Sequence, residues 1–441
     1  MKVNPRLPPE ERHLKAKEER TMKIMSSSCL YALGIVAMLA TQACAGDTEL
    51  LVNTLAEKGI ITYGEARQIL TEGKEDARTS LARGDVDTLP SWIQNISMKG
   101  DVRLRQQMDW DASKLYPRSR ERLRLRLGFD TRVVDNLKAG FGLATGSEMT
   151  SGTSIIDAEP TSTNHTFGNG FAKAMLMADY AFLEYTPYSW LKITGGKMRA
   201  GANVWHTTDL LWDPDINPDG IAVTTSRDIS SSVNVFLTGS WLIENENGFP
   251  ATTPPLANPD VYIAQPGASW KVNDMINVKG AIGYEQFNFK GKNTGYYANG
   301  LGAYDYLCWT PGLQFDMKEI VGAYSLSLFG DMVTNTDPKP ASDKDGSNYG
   351  FRFGNEKITD FGQWQAVYML RRLEANAWPN KLGDSDTYGG KVDSSGYEAI
   401  FTLGLTKAST LVIDYYNMDK ITNPTAATPA SLIQFDIVYK F

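Results

Sequence analysis

Arginines at alternate positions form the clearest pattern of charged side chains in this chain. From residue 118 to residue 129, basic or polar residues alternate with apolar ones over most of the segment. A guanidinium group stays charged at every physiological pH and binds carboxylates and phosphates, so a column of them in contact with water would attract anions. The column comprises Arg118, Arg120, Arg122, Arg124 and Arg126, and Arg103 with Arg105 repeat its spacing upstream.

The apolar positions of this segment decide what kind of element carries the arginines. They are Leu123, Leu125, Leu127 and Phe129. Successive side chains of a strand point to opposite faces, whereas helical spacing would scatter these residues around the whole circumference. The pattern therefore predicts a strand. Two interpretations fit it: an exposed strand of an antiparallel sandwich, or a barrel wall with lipid against the leucines and a water-filled lumen against the arginines.

A second charged segment, between residues 200 and 220, carries Asp209, Asp213, Asp215 and Asp219. Within it, Asp215, Asn217 and Asp219 match the opening of a calcium loop, but Ser226 stands where such a loop has its bidentate glutamate. A proline-rich turn held by Asx side chains explains the spacing better. We expect no metal and no cofactor, with a looser Ca²⁺ site at these three residues left open.

Residues suited to catalysis are scarce. His165 and His206 have no serine nucleophile beside them in the sequence, and Cys308 has no neighbouring metal ligand. We therefore predict that the protein is not an enzyme.

The first 45 residues resemble a secretory signal peptide. Lys23 is followed by an apolar run from Leu30 to Ala40 and by an A-x-A cleavage site that ends at Ala45. The run is too short to span a bilayer, which takes about 20 residues. The charged stretch before Met22 suggests that translation starts at Met22, and lipoprotein processing at Cys44 is the competing interpretation.

Removal of residues 1–45 would take away seven basic and four acidic residues and leave 37 basic and 47 acidic ones, a net charge of −10. The chain has no excess of basic residues, so its charge does not indicate nucleic acid as a partner. Residues 46–93 predict a short helical extension, in which Thr62 and Glu65 form a capping box, followed by a linker at 85–90.

From residue 94 to residue 441 the chain alternates between strand-length segments and turn residues, and no later apolar run is long enough for a membrane helix. Short turns alternate with long polar connections, as in an outer-membrane barrel with both chain ends in the periplasm. We predict an all-β, antiparallel transmembrane barrel of about sixteen strands. They lie near 96–108, 119–133, 137–146, 176–186, 190–199, 220–227, 232–243, 261–271, 276–290, 307–317, 323–335, 347–358, 362–377, 395–406, 409–420 and 431–441.

The last predicted strand is aromatic and ends the chain. Its apolar face carries Ile433, Phe435, Ile437, Tyr439 and Phe441. A terminal phenylalanine on an alternating strand resembles the signal that the bacterial barrel-assembly machinery recognises, and we assign this role to Tyr439 and Phe441.

Several segments together resemble the "putative porin" family of Gram-negative bacteria. The segment Asp209–Gly220, which reads D-L-L-W-D-P-D-I-N-P-D-G, is similar to the signature of that family. One departure is Thr387-Tyr388, where an aromatic residue is expected directly after Asp386. The other similar stretches are 49–55 with 58–60, 120–129, 143–146, 160–164, 194–198 and 384–386.

This resemblance implies an outer-membrane pore. By analogy with general porins, the third long connection would fold into the lumen, so that its aspartates face the arginines across a constriction. We expect passive diffusion of small hydrophilic solutes or ions through a homotrimer embedded in lipid and lipopolysaccharide. The arginines could also be an ordinary solvated face. The alternatives are a channel specific for an anionic or sugar solute, and a surface adhesin or structural barrel.

Overall fold

The protein is described by a computed structural model. It describes residues 58, 62, 64–67, 70–71, 93, 95–146, 148–151, 154–168, 170–171, 173–201, 204–246, 257–292, 304–337, 339, 342–425 and 428–441. The predicted signal peptide at 1–45, the start at Met22 and the linker at 85–90 lie outside these residues. Residues 1–96 and 97–441 form two separate units.

In the first unit, the reciprocal contacts of the predicted capping box are present. The backbone N–H of Thr62 donates to Glu65 Oε2 at 2.8 Å, and the N–H of Glu65 donates to Thr62 Oγ1 at 3.2 Å. These bonds satisfy backbone donors that a helix start leaves free, and residues 64–67 are helical. Within the described residues, no helix has both the length and the apolar character needed to cross a membrane.

The second unit consists of strands joined by loops. Nineteen strands occur in the described residues. They are β1 Ser97–Asp111, β2 Arg118–Val134, β3 Leu137–Thr145, β4 Glu148–Ser151, β5 Ser154–Ala158, β6 His165–Thr166, β7 Leu176–Tyr188, β8 Leu191–Lys197, β9 Asp219–Asp228, β10 Val233–Ile243, β11 Asp260–Lys271, β12 Ile276–Asn288, β13 Tyr306–Val321, β14 Tyr324–Asn335, β15 Asp345–Asn355, β16 Trp364–Leu373, β17 Ser394–Gly404, β18 Ser409–Lys420 and β19 Ala430–Lys440.

Sixteen of these strands form a closed antiparallel barrel, which confirms the predicted fold. Each barrel strand pairs with the next in the chain, and β19 closes the sheet by pairing with β1. The closing register places Arg105 opposite Asp436 and Val102 opposite Tyr439. The short strands β4, β5 and β6 belong to the connection between β3 and β7, where β6 adds a brief pairing to β2. Closure leaves no barrel strand with an unpaired edge.

Alternation along each strand separates an outer and an inner face. On β10, Leu237 and Trp241 are 48% and 44% exposed, whereas Thr238 and Ser240 between them are buried. Aromatic side chains lie on the outer surface near several strand ends, and Tyr188 and Trp190 stack there with ring centroids 5.4 Å apart. This outer surface has the composition that lipid requires.

The connections differ in length at the two edges of the barrel. Seven connections of two to eight residues lie at one edge, which we call the short-turn edge, and eight of six to 30 residues lie at the other. All sixteen predicted strands are present. The largest differences in their bounds are at β13, which continues to Val321 past a β-bulge, and at β16, which ends at Leu373 instead of residue 377.

The largest cluster of buried apolar side chains lies inside the barrel. Phe287 on β12 and Val333 on β14 point inward and are fully or almost fully buried. They pack in one cluster with Leu211 and Trp378, which come from the connections 198–218 and 374–393. Apolar residues in these two connections therefore hold them within the lumen.

Candidate functional site in the barrel lumen

The arginines of β1 and β2 lie side by side on the inner face of the barrel. The register pairs Arg103 with Arg124 and Arg105 with Arg122 directly across the two strands. Like charges opposite one another destabilise a sheet, so these four guanidinium groups require compensation from nearby acidic or polar groups.

Arg105 receives the most complete compensation. Its Nε and Nη2 donate to the two carboxylate oxygens of Asp436 at 2.7 and 2.8 Å, and its Nη1 donates to Asp386 at 2.9 Å. Arg103 lies 3.5 Å from Asp436 and donates to Asn164 Oδ1 at 2.6 Å. Residues from β19 and from two connections thus meet at β1.

The arginines of β2 differ in their partners. Arg120 pairs with Asp109 at 2.9 Å, and Arg124 pairs with Asp101 at 2.7 Å. Arg126 pairs with Asp215 and donates to Thr163 Oγ1 at 2.9 Å. These three are therefore matched by one carboxylate each.

Two arginines of the column lack a carboxylate partner among the described residues. Arg122 donates to Gln107 Oε1 at 3.1 Å and to Ser162 Oγ at 3.3 Å, and it is only 8% exposed. Arg118, at the long-connection edge, is exposed.

The connection 198–218, which we call the β8–β9 segment, contacts the inner face of the barrel at several strands. Gln265 on β11 accepts from the Trp205 N–H at 2.7 Å and donates to the Trp205 carbonyl at 2.9 Å. Asp331 on β14 accepts from the N–H and hydroxyl groups of Thr207 and Thr208 at 2.7 to 3.0 Å. The segment therefore reaches strands far from the β8 and β9 that it joins.

The three aspartates of this segment and Asp219, the first residue of β9, have different partners. Asp215 contacts the arginine column at Arg126, whereas Asp209 pairs with Arg371 on β16. Asp213 accepts the N–H groups of Asp215 and Ser385. Asp219, at the start of β9, pairs with Lys197 at 3.2 Å.

The connection 374–393, which we call the β16–β17 segment, packs directly against the β8–β9 segment. The Trp378 indole N–H donates to the Leu211 carbonyl at 2.7 Å, and the Asp213 N–H donates to the Leu382 carbonyl at 2.8 Å. Ser385 Oγ also donates to the carbonyl of Thr161 at 2.9 Å. Three connections distant in sequence are therefore joined in the lumen.

The carboxyl groups of these segments titrate differently because their neighbours differ. Burial, reinforced by the negative charges of Asp209 and Asp386, raises the pKa of Asp384 to about 7. Burial and the charge of Asp384 also raise the pKa of Asp213. Burial acts in the same direction at Asp386, but the Arg105 guanidinium, a hydrogen bond with Gln434 and the charge of Arg122 together outweigh it and lower the pKa of that group.

The histidines and the cysteine considered for catalysis or metal binding lie in strands or contact other side chains of the protein. His206 lies 3.4 Å from Glu285, which also accepts from the Trp212 indole and the Thr310 hydroxyl. Cys308 is buried on β13, and His165 lies in β6.

The three possible calcium ligands point to separate partners. Asp215 accepts from Arg126 and Thr163, Asn217 donates to Asp179, and Asp219 binds Lys197. No group of three or more His, Cys, Asp or Glu side chains in the described ranges is arranged to hold a metal ion.

Sequence reasoning placed Asp215 opposite the arginines, and it pairs with Arg126, but it did not identify their other acidic partners. Asp436 shares the polar face of the last strand with Gln434, and that alternation could have indicated an inward carboxylate. Asp386 lies 281 residues from Arg105, and no local pattern connects the two.

Known structures resemble this fold to different degrees. No curated protein matches the chain. The high-pH structure of Pseudomonas putida OprB aligns with a TM-score of 0.54 and 12% identity over 82% of this chain and 97% of that one. A triple mutant of Rhodopseudomonas blastica porin aligns with a TM-score of 0.41 and 12% identity over 78% of this chain and all of the other.

The sequence itself matches a family described as "Putative porin" over residues 112–299 and 311–441. This match covers more than half of the chain and nearly all of the barrel. The chain therefore belongs to the "Putative porin" family of outer-membrane β-barrels.

Proposed function

We propose that this protein is a general porin, which lets small hydrophilic solutes or ions diffuse passively across the outer membrane. The observation that carries the proposal is the β8–β9 segment, which extends from Arg126 on β2 to Asp331 on β14. A segment fixed inside a barrel of sixteen strands narrows a lumen that side chains alone would leave filled with water. Asp209, Asp213 and Asp215 of this segment, Asp219 at the start of β9 and the arginine column would form the constriction.

The charge balance of the wall supports a modest preference for anions. Five of the seven arginines that the sequence places on this wall, Arg103, Arg105, Arg120, Arg124 and Arg126, are contacted by five carboxylates, from Asp101, Asp109, Asp215, Asp386 and Asp436. The surplus of this wall is positive, and it comes from Arg118 and Arg122, which form no ion pair with other described residues. Charged rings at a narrow section are a common source of ion selectivity.

Reversal potentials in planar bilayers test this role. We expect the variant Arg122→Ala/Arg124→Ala/Arg126→Ala to lose its anion preference under a KCl gradient. The matched control is Arg227→Ala/Arg372→Ala, which removes two arginines outside the column. A triple variant with the reversal potential of the parent would contradict the role of the arginines. Absence of any conductance in the parent would contradict the pore and favour a structural or adhesin role.

We infer a periplasmic location for both chain ends, with residues 1–45 removed as a signal peptide and 46–93 forming a helical extension. β1 begins at Ser97 on the short-turn edge, opposite its connection to β2. Phe441 lies at the same edge, because it and Gly100 exchange two backbone N–H···O bonds. In outer-membrane barrels the short turns face the periplasm. Cysteine labelling of intact cells should therefore modify Leu115→Cys but leave Ile229→Cys unmodified.

We further propose a homotrimer in lipid and lipopolysaccharide, assembled through recognition of Tyr439 and Phe441 by the barrel-assembly machinery. Both aromatic side chains are about half exposed on the outer face. Deletion of Phe441 should lower the amount of folded protein in the outer membrane. Cross-linking of membranes should give a trimer band.

A further inference from the structure

A cavity of about 330 Å³ lies beside the arginine column, between the β8–β9 segment and the inner faces of β1, β2, β7 and β19, and shares Arg126 and Asp215 with the site described above. Its volume is at the lower end of the range for small-molecule sites, ~300–1,000 Å³. Basic and acidic side chains line it in equal number. The basic ones are Lys99, Arg126, Arg199 and Lys440, and the acidic ones are Asp101, Asp130, Asp179 and Asp215.

Most of these charges neutralise one another within the protein. Arg126 pairs with Asp215, and Arg199 donates to Asp130 at 2.7 Å. Asp101 accepts from Arg124, which lies on the wall beside the cavity, at 2.7 Å. These pairs fix the shape of the cavity and leave few charges for a solute.

Three lining charges form no ion pair with other described residues. Lys99 and Lys440 share the inward face at the short-turn edge with Asp101, which the register places opposite Lys440. On another wall, Asp179 accepts only from the Asn217 side-chain amide, at 2.7 Å. Among the residues that the structure describes, the cavity therefore presents two ammonium groups and one carboxylate that have no ion-pair partner.

The floor of the cavity is rigid. The Tyr180 ring lies so close to Gly142 that a Cβ there would be 2.3 Å from Tyr180 Cε1. Arg199 holds the ring from the other side: its guanidinium lies 4.4 Å from the ring centroid and donates to Tyr180 Oη at 2.8 Å. Preorganised walls reduce the entropy that binding would otherwise cost.

We infer that this cavity is a subsite for a zwitterionic solute of the α-amino-acid class. The carboxylate of the solute would bind Lys99 and Lys440, and its ammonium group would bind Asp179. Because the unpaired groups carry both signs, a solute that carries only one sign gains from one set of groups and is repelled by the other. This inference rests on the proposed pore and names its solute class.

Uptake by proteoliposomes that contain the full chain tests the inference. The probes are labelled L-alanine, as the zwitterion, and labelled glycerol, as a neutral solute. We expect L-alanine uptake to saturate with concentration and glycerol uptake to remain linear. Asp179→Asn and Lys440→Gln should each abolish saturation, with rates normalised to the KCl conductance of the same preparation. The control variants Lys271→Gln and Asp274→Asn change an exposed ion pair in a short turn and should retain it.

The outcomes separate the subsite from the pore. KCl conductance with linear L-alanine uptake, or saturation that survives in both cavity variants, would overturn the subsite alone. Absence of KCl conductance would overturn the pore. In that event, isothermal titration of the detergent-solubilised chain with L-alanine still decides the subsite, because heat of binding that Asp179→Asn removes supports it and no heat overturns it.

Discussion

Arg105 is the residue at which the most distant parts of the site meet. Its guanidinium joins β1 to Asp436 on β19 and to Asp386 in the β16–β17 segment, and the residue is only 6% exposed. Removal of one partner from a buried ion pair leaves uncompensated charge and costs about 3–5 kcal/mol. Arg105 thus provides the closest ion pair of the closing seam, and Arg103, at 3.5 Å from Asp436, provides a second and longer one.

Arg105→Ala should therefore lower the free energy of unfolding by about 3–5 kcal/mol, measured by urea titration in lipid vesicles. Arg372→Ala is the matched control: it has a half-exposed side chain, and its ion pair with Glu374 should contribute about 0–1 kcal/mol. Addition of Asp436→Asn to the Arg105→Ala variant should restore part of the loss. Equal stability of the Arg105→Ala variant and the parent would contradict the argument.

At the scale of single residues, the sequence predicted on which face of a strand the arginines lie. Asp215 apart, it did not predict which carboxylates bind them. Alternation placed Arg122, Arg124 and Arg126 on one face because strand geometry has a period of two residues. The choice of Asp386 as a partner depends on how a connection 281 residues away folds back into the lumen. That folding is a tertiary property, which no local pattern encodes.

At the scale of elements, the β8–β9 segment depends on Asp331 for its attachment to β14. The carboxylate accepts from two N–H and two hydroxyl groups of Thr207 and Thr208. Buried donors that lose their acceptor cost about 1–3 kcal/mol each. We expect Asp331→Ala to free this part of the segment, raise single-channel conductance and expose residues 204–212 to protease. Asp345→Ala, which removes an exposed carboxylate at the adjacent strand, should change neither.

The β16–β17 segment should respond to pH through Asp384. Its pKa is raised to about 7 in the folded protein, against about 3.9 for an unfolded aspartate. Between these values the unfolded chain releases the proton and the folded chain keeps it, so stability falls as pH rises from about 4 to about 7. Protease resistance of residues 374–393 should fall over that window in the parent and less in Asp384→Asn. Asp360→Asn, at an exposed turn, should behave as the parent does.

Strand assignment from sequence worked because each strand has one lipid-facing side. It erred at residues 374–377, predicted as part of a strand. There Ala377 and Trp378 are apolar because they pack inside the lumen with Leu211, not because they face lipid. An apolar residue is a reliable sign of a strand in this protein only where polar residues alternate with it.

At the scale of the whole molecule, the barrel separates two solvents, and its interior is the more varied of the two environments. The outer face needs only apolar character and a period of two, as Leu237 on β10 illustrates with 48% exposure. The lumen holds both ion pairs and an apolar cluster around Trp378 and Phe287. Sequence patterns therefore predict the strands of the barrel wall well, and the ion pairs and apolar contacts in the lumen poorly.

This contrast predicts that the loss of folding free energy caused by a charge on the outer face depends strongly on the depth of that charge in the bilayer. Leu237 lies near the middle of β10, so Leu237→Arg would place a charge near the centre of the bilayer, at a cost of about 2–4 kcal/mol. Ile229→Arg, in the short turn before β10, places the same charge at the interface and should cost about 0–1 kcal/mol. Urea unfolding in lipid vesicles measures both values. Equal costs at the two sites would mean that this face of β10 does not contact acyl chains, and a protein interface on that side of the barrel would then be the better explanation.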